Sequence, residues 1–386
     1  MAEDSTLDLV DLLDNDLHTG GPPHAIYDRM RSECPVRRIE SNGQKFWSLT
    51  RDAEVSRVNR DSATFSNYRG GIFLLPDQVA PLDLLRSVLI TMDPPEHAKY
   101  RRLLSSAFTP RAVKSMEGSV RGFVTEIIDE VIESGLCEFV ADIAVPVPLR
   151  VLAQLLGIPS EDIPSLHTWT HRLEESIVSE QGSAGVEVFA EMVQYLYPLI
   201  QRQAAEAQDS LVQRLRATSV DGESLTEEQL LGFFAVLIFA GNDTTRNTAA
   251  TGMLAFLEHP EQWQLLLGNP QLMPNAVEEV LRWTSVVKYF VRTATHDTEL
   301  GGQHIAEGDR ILMWLTSASR DPSLNTSPER FDITRSDPQH RAFGAGGPHF
   351  CLGNSLARLE LRVILEEVAR RMPDIQIGRA SCRERV

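Results

Sequence analysis

Phe343-Gly-Ala-Gly-Gly-Pro-His-Phe-Cys351-Leu-Gly353 is the stretch on which the fold turns. Three glycines precede the cysteine and one follows it, so the backbone can approach a neighbour closely. A helix is predicted directly afterwards, over Asn354–Met372. Free N–H groups at a helix start stabilise negative charge, which favours a thiolate at Cys351. A thiolate is a nucleophile or a metal ligand, whereas an isolated cysteine is more often simply buried. The loop is not a dinucleotide fingerprint. Gly344 and Gly346 fit that pattern, but His349 stands where its third glycine belongs, and no convincing strand precedes it.

A second unusual run, Phe239-Ala-Gly-Asn-Asp-Thr-Thr245, lies within a long helical stretch. Thr226-Glu-Glu-Gln229 has capping-box spacing, and the helix it opens is expected to reach His259, just before Pro260. Leu230–Ala240 is apolar almost all round, so this helix is central. Gly costs about 1 kcal/mol against Ala in such a helix, and a buried Asp needs partners. One reading is a kink, with Thr hydroxyls bonded back to carbonyls. The other is function.

Around these two runs the chain reads as mainly α with small β-sheets, an α-dominated α+β fold. Amphipathic segments Val120–Ser134 and Val186–Ala207 are helical in pattern. Val36–Ile39 and Phe46–Leu49 flank Asn42-Gly43, a hairpin signal. Val287–Ala294, Thr298–Ile305 around Gly301-Gly302, and Arg310–Leu315 read as short strands.

The chain has 386 residues, 42% of them hydrophobic and 24% charged, which is the composition of a globular protein. Its net charge of −17 argues against nucleic acid or an anionic membrane as the main partner. Cys34, Cys137, Cys351 and Cys382 are widely spaced without a CxxC, which argues against a disulfide framework or structural zinc. His167 and His171 share a helix face, but no third ligand accompanies them. Residues 1–16 carry six acids and no base, unlike a signal peptide. The apolar run Leu230–Gly241 falls short of the roughly 20 residues of a membrane span. A soluble, cytoplasmic protein is expected. Residues 1–377 read as a single catalytic domain, with a small β-rich lobe from the N-terminus and 285–315. Gly378–Val386, with Arg379, Cys382, Arg383 and Arg385, is an atypical tail, read as a native basic tail or as a non-native scar.

The cysteine loop resembles the haem-binding loop of the cytochrome P-450 family. It is one residue longer between Phe343 and Cys351 than the common pattern, a length known from some bacterial steroid and terpenoid hydroxylases. The resemblance spans about Pro22 to Ile377 and rests on several motifs in order. It implies that Cys351 is the axial thiolate of haem b, with Phe343 packed near it. The run at 239–245 resembles the distal Ala-Gly-x-Asp/Glu-Thr motif. Ala240 would face the haem, Gly241 would leave room for dioxygen, Thr244 would hydrogen-bond the oxygen, and Asp243 would relay protons.

Asp93-Pro-Pro-Glu-His97-Ala-Lys-Tyr-Arg101 is similar to the propionate-binding helix. With Arg292 and His349, His97 and Arg101 would bind the haem carboxylates. Glu279-Val-Leu-Arg282, by itself an ordinary surface pair, matches the buried Glu/Arg pair, with Arg330 completing the network. Val236, Phe239, Ala240, Val286, Val287 and Phe290 would line the substrate pocket. Ile72, Phe73, Leu74 and Leu75 would cover it.

The resemblance implies a monomeric monooxygenase that hydroxylates a steroid, terpenoid or fatty acid with dioxygen. Electrons would come from NAD(P)H through ferredoxin reductase and ferredoxin. Lys99, Arg101, Arg102, Arg111 and Lys114 are either a solvated face or a docking patch for that acidic donor. Three alternatives stay open. A peroxygenase would not need Asp243-Thr244. A haem sensor or carrier would show no turnover. A cysteine hydrolase would need a better-placed base than His349.

Overall fold

The computed structural model describes residues 10–41, 43–74, 82–178, 182–206, 210–219 and 222–378. Leu75, Asn42 and 379–386, on which parts of the sequence reading fall, lie outside the described residues. The architecture is helical with small sheets, as the sequence pattern predicts.

The strands are β1 (Val36–Ser41), β2 (Gln44–Leu49), β3 (Phe65–Ser66), β4 (Tyr289–Ala294), β5 (Thr298–Leu300), β6 (Gln303–Ile305) and β7 (Arg310–Trp314). Five of them form one sheet in the order β1-β2-β7-β4-β3, so segments some 250 residues apart in sequence are neighbours in space. Ile39 faces Phe46 across the first antiparallel pair, β2 runs parallel to β7, and Arg292 faces Ile311 in the β4–β7 pair. β5 and β6 form a separate hairpin. Gly301 and Gly302 both have positive φ there, as a tight two-residue turn requires. The strand expected from Val287 begins at Tyr289, and Leu315 opens a short helix instead of ending β7.

The helices that build the site are α1 (Asp52–Arg60), α2 (Glu96–Ser105), α3 (Glu117–Ile132), α4 (Pro146–Leu156), α5 (Ile163–Val178), α6 (Gly182–Glu206), α7 (Glu227–Glu258), α8 (Met273–Thr284) and α9 (Asn354–Arg371). α7 has 32 residues and crosses the molecule. Its start is the expected capping box. The Thr226 hydroxyl accepts from the Gln229 N–H at 3.2 Å, and the Gln229 side chain accepts from the Thr226 N–H at 2.9 Å. Such a cap contributes about 1 kcal/mol.

α7 packs against α4, α5, α6, α8 and α9. Phe234, Ile238, Met253 and Phe256 are buried along it, each side chain contributing about 1.5–3 kcal/mol. Gly252 sets the approach of α8, because a Cβ there would lie 2.5 Å from a Val280 methyl. α3 and α8 pack on α9, which holds the end of the cysteine loop between helix pairs. Among the described residues no helix is long and apolar enough to cross a membrane.

Candidate active site

The cysteine loop folds as its glycines demand. Gly344, Gly346 and Gly347 have φ of 89°, 85° and 79°, where other residues are strained. Gly347 also presses on α1: a Cβ there would lie 2.4 Å from the Asn59 carbonyl oxygen. Asn59 Nδ2 donates to the Gly346 carbonyl, and Arg60 Nε donates to that of Ala345 at 3.1 Å. Gly353 differs from expectation. Its φ is −81° and nothing stands within 4 Å of its would-be Cβ, so no close approach uses it.

The Cys351 N–H donates to the Phe343 carbonyl at 3.0 Å and closes the loop. Phe343 is buried edge-on to Phe350 at 6.3 Å, with the Arg358 guanidinium 4.6 Å from its ring centre. Arg358 grips Glu278 with two hydrogen bonds, of 2.6 and 2.9 Å, and His340 approaches the same carboxylate at 3.1 Å. Burial works to raise the Glu278 carboxyl, but hydrogen bonds from His340 and Arg358 outweigh it and bring it down to about 2. The Cys351 thiol follows the opposite balance. Burial pushes it up, against the pull of the Gly353 N–H and the cations Arg101 and Arg358. The helix start alone therefore does not make the free thiol acidic. A cation bound to sulfur would.

Beside the loop, α2 brings His97 against His349, with ring centres 4.0 Å apart. Burial, with Arg101 adding and Asp93 opposing, lowers His97 to about 4. Burial, together with Arg292, His97 and Arg101, lowers His349 to about 2. Both imidazoles are neutral, and each keeps one buried nitrogen, His97 Nδ1 and His349 Nε2, without a hydrogen-bond partner in the chain. Arg292 is buried among Asn59 Oδ1 at 2.9 Å and the Val291 carbonyl at 2.8 Å, and burial lowers it to about 10. Arg101 Nη2 donates to the Phe350 carbonyl at 2.5 Å. Unpartnered imidazole nitrogens, which donate once protonated, and two guanidiniums fit an anionic group, since a bound carboxylate favours the protonated ring and buried polar atoms otherwise find partners. With the Cys351 sulfur alongside, this donor set fits haem: carboxylates toward His97, Arg101, Arg292 and His349, and iron on the cysteine.

On α7, Val236, Ala240 and Thr244 lie at successive i+4 positions and form an accessible stripe, whereas Asn242 and Asp243 are buried. Thr244 Oγ1 donates back to the Ala240 carbonyl at 2.8 Å. Gly241 has a packing reason different from the expected one. Its Cα faces α4, where a Cβ would meet a Leu152 methyl at 3.0 Å. Its smallness thus serves helix contact. Asp243 Oδ1 accepts from Asn242 Nδ2 at 3.1 Å and lies 3.5 Å from Arg246, while its Oδ2 is buried without a partner. Burial and then the neighbouring Glu174 raise Asp243 to about 8.

Phe239, Val286, Val287 and Phe290 are partly exposed. Val287 and Phe290 pack against the sheet core, and Phe239 against the helical core. Ile72 is buried and its carbonyl accepts from the Val291 N–H at 3.0 Å, while the Phe73 carbonyl accepts from Arg310 at 2.6 Å. Leu74 packs with Tyr289 on the cluster of Leu12, Tyr27 and Trp314.

The Glu279–Arg282 pair is fully buried, with contacts of 2.7 and 2.8 Å. Its third member is Arg335, whose Nε lies 3.2 Å from Glu279, and not Arg330. The chain turns through 328–335, so Arg330 aims its carbonyl at Arg282 and leaves its side chain exposed. No helical period links Arg335 to the pair, so spacing carried no signal for it. Asn59, Arg60, Glu278 and Glu174 were missed for the same reason. Each reaches the site from another element. His167 and His171 do share a face, but among the described residues no group of three or more His, Cys, Asp or Glu side chains is placed to hold an ion.

A long central helix, a glycine-bent cysteine loop in the same core and a histidine–arginine cluster beside that loop are the parts a haem-binding fold needs. The sequence model of the family described as cytochrome P-450 matches residues 172–372. Among curated relatives, a steroid C26-monooxygenase of Rhodococcus jostii is 35% identical over 380 residues, covering 95% of this chain and 79% of the relative. A methyl-branched lipid omega-hydroxylase of Mycobacterium tuberculosis is 34% identical over 382 residues, covering 94% and 86%. A solved cytochrome P-450 of Mycobacterium marinum in complex with pseudoionone superposes with a TM-score of 0.83 at 34% identity, covering 92% of this chain and 89% of that one. The chain belongs to the cytochrome P-450 family. It is a haem-dependent monooxygenase that hydroxylates hydrophobic molecules.

Proposed function

We propose that this enzyme hydroxylates a steroid, terpenoid or fatty-acyl carbon, with residues 1–377 acting as one catalytic unit. The observation that carries the site assignment is the convergence of Cys351 with two neutral histidines whose buried nitrogens lack partners. Cys351 would hold the iron, and His97, Arg101, Arg292 and His349 the carboxylates. When bound, haem activates dioxygen, so that one atom enters a C–H bond and the other leaves as water. That balance consumes two electrons and two protons.

The chain's own part is positioning and proton supply. Asp243, neutral at pH 7, holds a proton next in sequence to Thr244, whose hydroxyl lies on the accessible stripe of α7. A peroxide-driven enzyme has no use for this pair. Val236, Phe239, Val286, Val287 and Phe290 supply an apolar lining that excludes water and positions a hydrophobic substrate. The names of the relatives support a steroid or branched lipid.

Electrons would come from NAD(P)H through a ferredoxin-type protein. Arg102, Arg111 and Lys114 have exposed side chains, Lys114 beside a groove lined by Val113, Val277 and Leu359, and suit an acidic donor. Lys99 is paired with Glu223 and Arg101 turns inward, so neither belongs to that surface.

The test is the carbon monoxide difference spectrum of the reduced protein. A strongly red-shifted Soret band is expected, and it should be lost in Cys351→Ser. Thr244→Ala should keep the band and divert electrons to peroxide. Unchanged product per NAD(P)H in that variant overturns the relay.

A further inference from the structure

Asp243 belongs to a three-residue unit that bridges two helices. Arg246, one turn further along α7, lies 3.5 Å from Asp243 Oδ1 but only 2.6 Å from Glu174 Oε1 on α5. Two carboxyls thus compete for one guanidinium, and Glu174 has the shorter contact. The unit would carry a net charge of −1 with both carboxyls ionised. Like-charged carboxyls this close shed that charge by binding a proton. The proton belongs on the more deeply buried of the two. The Asp243 side chain is 11% exposed and that of Glu174 is 29%.

The surroundings fit a neutral acid. Asp243 Oδ2 is buried with no partner, an arrangement costly for a carboxylate and tolerable for a protonated acid. Thr170 of α5 and Asn242 of α7 are the uncharged polar neighbours, joined by a 3.0 Å hydrogen bond. α4 presents Leu152 to the adjoining Gly241. On α9, Glu360 is another buried carboxyl, raised by burial alone and so titrating separately.

We propose that Glu174 is a positioning residue that occupies Arg246 and so keeps Asp243 loaded with a proton. This rests on the relay reading of Asp243 given above. When Asp243 gives up its proton, its carboxylate shares Arg246 with Glu174. A proton from solvent, reaching the unit on the partly exposed Glu174 side, restores the neutral acid. The contact is between α5 and α7, so any movement of α5 away from α7 withdraws Glu174 and leaves Arg246 to Asp243 as an ordinary ion pair.

The test is a carbon-13 titration of the Asp243 carboxyl in aspartate-labelled protein, reduced and carbon monoxide-bound. Asp243→Asn identifies the resonance. The parent protein should titrate near pH 8. Glu174→Gln should lower that midpoint by about one unit or more, because Arg246 is released to Asp243, whereas Arg246→Gln should not lower it. A parent midpoint in the ordinary aspartate range overturns the proposal. So does a midpoint unmoved in Glu174→Gln, or a fall in both variants.

Product per NAD(P)H at neutral pH, measured on the same variants free of carbon monoxide, should fall several-fold in Glu174→Gln, while a separate sample of that variant keeps the carbon monoxide band. If the midpoints move as stated but that yield does not, the clamp stands and the relay falls. A band at the wrong position instead removes the haem-thiolate reading, whatever the titration shows.

Discussion

The cysteine-loop support and the polar run of α7 are built on opposite principles. Beneath the site, every named carboxylate is held by cations and geometry is fixed. Glu279 binds Arg282 and Arg335 and accepts the Asp332 N–H at 2.8 Å, while Glu278 binds Arg358 and His340. Three glycines hold conformations that other residues resist. Above it, α7 and α5 set two carboxyls, Asp243 and Glu174, against one guanidinium and leave Asp243 Oδ2 and Asn242 Oδ1 without partners. The first arrangement holds a ligand in one place. The second holds a proton that can leave. A support with unmet charge would unfold, and a relay with every atom satisfied would have nothing to transfer.

That contrast can be broken at its strongest point first. Glu279→Ala leaves Arg282 buried without its anion, and such a loss costs about 3–5 kcal/mol. Thermal unfolding should show a large drop, with haem retention lost alongside. Gly347→Ala comes next. It forces a side chain to a positive φ against the Asn59 backbone and should cost about 1–3 kcal/mol, read as a lower melting temperature.

Arg335→Ala and Arg330→Ala sharpen the same side. The first removes a cation from buried Glu279. The second, at an exposed side chain, should stay within about 0.5 kcal/mol of the parent. Equal effects would return the network to the assignment read from sequence.

The relay side gives the smallest effect on stability and the clearest sign. Burial and Glu174 hold Asp243 near 8, above the aspartate value of 3.8. Between those values the folded chain keeps a proton that the unfolded chain has released, so this contribution to stability is lost as pH rises through that window. Asp243→Asn should flatten that part of the stability–pH curve, measured by denaturant unfolding at fixed temperature. A slope unchanged by the substitution would show that Asp243 is ionised throughout.

How much of this was legible depends on the distance over which each residue acts. The capping box at Thr226, the length of α7, the paired glycines of the β5–β6 turn and the helix after Cys351 follow from near neighbours, and the sequence shows them directly. So does the pairing of Glu279 with Arg282, three residues apart on one helix. That this pair is fully buried does not follow from its spacing, since most such pairs are solvated.

Local pattern, then, determined the helical class, the cysteine loop and the haem-thiolate family, because helix periods, caps and glycine conformations are set within a few residues. The tertiary structure decided what each of those elements meets. It turned Gly241 toward Leu152, replaced Arg330 by Arg335, raised the Cys351 thiol by burial and set Glu174 against Asp243. Those outcomes depend on charges and volumes brought together from distant segments. Burial and Coulomb interaction depend on separation in space, which the order of residues along the chain does not state.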